Sequence, residues 1–171
     1  MDSLSENNAD ETRRAFFHSV GQVATVLSIN PDYHHLPISS LMSLVVEPLS
    51  RGRLFVASPH ADQARAQMPG GLSGILLTAR TSRSVDRKIR RQIERDQFPL
   101  TLQAADWDSG SINWILDIIA PDAEGAAAIL SKYMASLADQ PIRLHPKVQG
   151  KLGSAIMSQL GLEKIETRTL N

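Results

Sequence analysis

A single α+β or α/β domain is what this chain predicts, and three observations carry that reading. Short apolar runs bounded by Gly and Pro alternate with longer segments whose apolar residues recur at helical spacing. No internal repeat and no Pro/Gly/Ser-rich linker divides the sequence. The 171 residues, 42% hydrophobic and 21% charged, suffice for one domain with a buried core.

The elements follow in order. Residues 1–10 are polar and acidic and read as a disordered tail, leaving residues 11–171 as the domain. Asp10 is placed to cap a helix running to about Ile29, with Phe16, Val20, Val23 and Leu27 on one face. A loop holding Pro31, His34, His35 and Pro37 leads to an apolar stretch, Leu41 to Val46, stopped by Pro48. Leu54 to Ala57 is a short strand, and Pro69-Gly70-Gly71 turns into a second, Leu72 to Ala79. Ser84 opens a basic helix to about Asp96, its buried stripe formed by Val85, Ile89 and Ile93. The strand Trp114 to Ala120 comes next. Asp122 caps a helix with Ile129, Leu130, Tyr133, Met134 and Leu137 inward, and Ile142 to Leu144 is the last clear strand.

Composition narrows the function classes. The chain has no cysteine, which removes disulfides, thiolate metal sites and cysteine nucleophiles. The histidines show no helical ligand spacing, so no metal is expected. Lys plus Arg equals Asp plus Glu, which gives no reason to expect nucleic acid. The acidic start is unlike a signal peptide and no apolar run is long enough to span a bilayer, so a cytoplasmic location is expected.

Chemistry concentrates between Trp107 and Pro121. Asp117 is a lone carboxylate inside an apolar strand, where an ionised group needs a partner. Buried carboxylates of this kind often mark functional sites, although structural ion pairs give the same pattern. A second feature is the run Arg80, Arg83, Arg87, Lys88, Arg90, Arg91 and Arg95, offset by Asp86 and Glu94. Such runs are usually solvated faces, but Arg87, Lys88, Arg91 and Arg95 could also steer an acidic protein onto the helix.

The order Trp107, Ser109-Gly110, Trp114, Asp117 and Ile119-Ala120-Pro121 resembles the RTX toxin-activating lysine acyltransferases. Ile142-Arg143-Leu144-His145-Pro146-Lys147 with Gly150-Lys151 resembles a second segment of that family, with His145 in place of its Asp. Gly21, Asn30-Pro31, His34 and Pro48 fit a third, and the likeness spans roughly residues 15 to 155. It implies a GNAT-like mixed sheet flanked by helices. It also implies an enzyme that moves a fatty acyl group from acyl carrier protein to lysines of an RTX protoxin, without a bound cofactor. A homodimer is left open. A catalytic pair of His34, or else His35, with Asp117 would free the lysine amine and be held in place by the carboxylate. Counting forward from Pro31 puts the family's histidine at Tyr33, whereas counting back from Pro48 puts it at His34. Val45, Asp122-Ala123 and a Trp-less Leu72 to Leu76 depart from the family pattern. The alternatives are a non-catalytic homologue that binds acyl carrier protein or a client, and an acyltransferase acting on a small amine. A closed, apolar site would favour the binder.

Overall fold

Four strands form one mixed sheet, and its pairing decides where Asp117 points. The computed structural model describes residues 2–58, 67–137 and 140–162, with the side chains of residues 2–7 left aside. The strands are β1 (Leu54–Ala57), β2 (Gly74–Thr81), β3 (Ile112–Ile119) and β4 (Ile142–Leu144), in the order β1-β2-β3-β4. The first three are antiparallel neighbours, while β4 runs parallel to β3. That parallel step needs a crossover, supplied by α4 (Ala123–Ala135), whose N-cap Asp122 accepts a hydrogen bond from the Gly125 amide at 2.7 Å. The fold is therefore α+β, with a mixed sheet and flanking helices.

The register of β2 against β3 contains a bulge. Leu77 faces Asp117 and Thr78 faces Ile115, so Leu116 is an extra residue on β3. Ile115 and Ile118 consequently share one side of the sheet, where they pack with Leu130 and Tyr133 of α4 and with Val148 and Leu152 of α5 (Pro146–Gln159). Strict alternation would have separated them. Leu116 joins the other side, with Trp107, Trp114 and the Val85–Ile89 stripe of α3 (Arg83–Glu94). A third cluster on that side holds Val23 and Leu27 of α1 (Asp2–Ile29), Tyr33, Leu44, Ile75 and Ile119. Asp117 stands where these two clusters adjoin.

Several boundaries differ from the sequence reading. The helix α1 starts at Asp2, so the expected tail is its first turns, and Asp10 lies within it, bonded to Arg13 at 2.5 Å rather than capping. The stretch Leu41 to Val46 is helical, with a π-type turn over Met42–Val46 running into α2 (Glu47–Ser50), where Pro48 occupies a first-turn position that needs no amide. Ser82, not Ser84, caps α3, its hydroxyl accepting from the Val85 amide. The helix α5 is absent from the elements expected after Leu144. Residues 163–171, counted into the domain, lie outside the described residues. Among those described, no helix is long and apolar enough to cross a membrane.

Candidate functional site

Asp117 is 2% exposed, and both its oxygens are satisfied. The Tyr33 hydroxyl donates to Oδ2 at 2.7 Å, and Lys151 Nζ donates to Oδ1 at 2.7 Å. Each bond has a local cause. The turn after α1 closes with the Tyr33 and His34 amides bonded to the Asn30 carbonyl, and the Asn30 side chain accepts from the Asp32 amide. This tight turn drives Tyr33 inward. Lys151 comes from α5, where Pro146 pre-sets the first turn and the spacing of Lys147 and Lys151 puts both on one face.

A second carboxylate completes the cluster. Asp32 accepts from Lys147 Nζ at 2.6 Å and lies 3.5 Å from Lys151 Nζ. Burial alone would raise the Asp32 pKa, but the Lys147 hydrogen bond and the charges of Lys151 and Lys147 outweigh it and hold it below its ordinary value. Tyr33 moves the other way. Burial, then the charge of Asp117, push its hydroxyl well above the usual phenol range, so it remains a donor and is no base near neutrality. Phe98 closes one side, edge-on to Tyr33 at 5.7 Å and with Lys147 Nζ 4.0 Å from its ring centre.

The expected histidines stand elsewhere. His34 and His35 are exposed, edge-on to each other at 5.8 Å, and His34 Nδ1 bonds to the Asn30 carbonyl at 3.2 Å. His34 lines an outer groove of about 220 Å³ with Leu27, Leu36, Ile38 and Leu41. Asp117 lines two inner voids of about 20 and 10 Å³, each with room for no more than about one water. Tyr33 borders all three and so separates the histidine from the carboxylate. The site around Asp117 is a closed, mostly apolar pocket.

Sequence reasoning found Asp117 and missed Asp32, Lys147 and Lys151 as its surroundings; Tyr33 entered only as one outcome of a count. A signal was present: a buried carboxylate calls for a cation, and Pro146-Lys147 with Lys151 four residues on is a helix start with two cations on one face.

The basic helix divides in two. Arg87, Arg91 and Arg95 are exposed, whereas Lys88 is tied to Asp106 at 2.6 Å. Arg90 and Arg143 both pair with Asp86, which also accepts from Trp114 Nε1 at 2.9 Å. Among the described residues no group of three or more His, Asp or Glu side chains is placed to hold a metal ion. No family model matches the chain, and no curated protein matches it.

Proposed function

We propose that this chain is a non-catalytic relative of the RTX toxin-activating lysine acyltransferases, a module that binds an acidic protein of the acyl carrier class without transferring its acyl group. The observation that carries this reading is the Tyr33 hydroxyl on Asp117, where an acyl transfer dyad needs an imidazole. A phenol whose proton is held this firmly cannot free a lysine amine near neutrality. The second oxygen of Asp117 is occupied by Lys151, and the carboxylate has no exposed face from which to orient a base. The partner surface is the row Arg87, Arg91 and Arg95, which no carboxylate of the described residues pairs with. Exposed cations on a rigid helix attract an acidic partner at long range.

The rival reading is acyl transfer to a lysine of a protoxin, and one reconstitution separates the two. With acyl carrier protein bearing a labelled acyl thioester, and lysine-containing acceptor protein present, the label should stay on the carrier at the rate seen without this chain. A complex with the carrier should nevertheless form and weaken as salt rises, since the screening length falls to about 8 Å at physiological ionic strength. Reversing Arg87, Arg91 and Arg95 to Glu should weaken that complex by roughly tenfold or more, mainly through slower association. The same variant should melt near the wild-type temperature, because exposed charges contribute little to stability. Label transfer above the control rate, lost in Asp117→Asn, would overturn the binding reading in favour of the enzyme.

A further inference from the structure

His145 joins β4 to α5 and is 5% exposed. Its amide donates to the Ile115 carbonyl at 2.9 Å, which ties it to β3. Its Nδ1 accepts from the Lys147 amide at 3.1 Å and so caps α5, while Nε2 is buried without a partner. The ring stacks at a tilt on Phe98, 5.3 Å away, and Phe98 in turn touches Tyr33 and Lys147. One imidazole therefore holds the helix turn whose lysines hold Asp32 and Asp117.

We propose that His145 is an acid-released latch: on taking a proton it lets go of the first turn of α5, frees Lys147 and Lys151 from Asp32 and Asp117, and loosens Tyr33 from its closed position. The cap works only while Nδ1 keeps its lone pair. A proton from solvent on that nitrogen removes the acceptor and sets a positive charge against the positive end of a helix. The charged groups around the ring favour expulsion. Lys147 and Lys151 of α5 repel it, and each is already paired with the carboxylates that could have compensated, Asp32 from the turn after α1 and Asp117 from β3. Among the described residues, Asp96, beyond α3, is the acidic group acting directly on the ring, and Tyr33 offers only a hydroxyl committed to Asp117. Burial first, then the two lysines, lower the His145 pKa to about 4. The closed form therefore loses stability relative to the open form as pH falls from about 6.5, where a free imidazole titrates, toward 4.

Amide hydrogen exchange on the whole chain, corrected for the intrinsic pH dependence of exchange, reads this directly. Between pH 7 and 4.5 the opening of the Val148 and Gln149 amides should rise roughly fiftyfold, the ratio that pKa values of about 6.5 and 4 give for one proton. His145→Asn, which can cap a helix but does not titrate, should remove most of that rise. A wild-type protein whose α5 amides are indifferent to pH overturns the latch, and so does an Asn variant that opens as much as wild type, since the acid response then does not come from His145. Should the variant not fold, the wild-type ring is followed by NMR. Titration well below pH 6.5 together with movement of the Tyr33 resonances supports the latch, and titration at an ordinary pH or without Tyr33 responding refutes it.

Discussion

Replacing Lys151 by Met lowers the stability of the fold by about 3 kcal/mol at pH 7. The change keeps most of the aliphatic stem and deletes only the charge that meets Asp117 Oδ1 at 2.7 Å. What remains is a carboxylate 2% exposed, bonded to a phenol on one oxygen and facing apolar side chains with the other. Removing one partner of a fully buried pair costs about 3–5 kcal/mol, and the 31% exposure of the Lys151 side chain puts this case at the lower end. Urea denaturation measures it. Adding Asp117→Asn should restore a good part of the loss, because the amide carries no charge and still accepts from Tyr33. A single variant as stable as wild type would mean that the carboxylate reaches solvent and that the pocket is not closed.

Gly110→Ala should cost about as much, roughly 3 kcal/mol, for a steric reason. A Cβ at Gly110 would lie 2.7 Å from the Thr81 carbonyl oxygen and 2.8 Å from Ser82 Cα and N. All three atoms are backbone, and the local bonds keep them from moving. The Ser109 amide donates to the Arg80 carbonyl at 2.7 Å, and the Ser82 amide to Ser109 Oγ at 2.9 Å. The end of β2, the cap of α3 and the entry to β3 are thus locked where the glycine sits. Gly150→Ala is the internal contrast. Nothing lies within 4 Å of its Cβ, and in a helix alanine is favoured over glycine by up to about 1 kcal/mol. Thermal unfolding of both variants should move in opposite directions. A neutral Gly110→Ala would show that this turn yields.

Much of the frame could be read from residues alone. The strands Leu54–Ala57 and Ile142–Leu144 were bounded as they occur, because a β-branched or aromatic run between turn residues leaves little choice. The cap at Asp122 and the Val85–Ile89 stripe were equally legible. The helix α5 was not, since Gly150 and Gly153 weaken the helical pattern, and Gly153, at φ +72°, does break the regular conformation. Its absence hid Lys147 and Lys151, and with them the partner that Asp117 required. The ring facing Asp117 lay beyond sequence for another reason. Tyr33, His34 and His35 are consecutive, and the turn closed by the Asn30 hydrogen bonds, which periodicity does not reveal, presents Tyr33 inward. A phenol that can bury its ring and still donate to a carboxylate suits that inward position.

The bulge at Leu116 has a further consequence, for folding. Along Ile115 to Ile119 every residue but one is aliphatic, so a strand sliding by one position against β2 would still bury apolar side chains on both faces. Such a sequence has little to tell correct pairing from incorrect. The exception is Asp117. If Leu116 took the place opposite Leu77, Asp117 would move to Leu76 and turn into the layer of Leu130 and Val148, away from both Tyr33 and Lys151. The same carboxylate that anchors Tyr33 and Lys151 thereby disfavours the neighbouring register, because the observed alignment of the central strands is the one that gives it both partners.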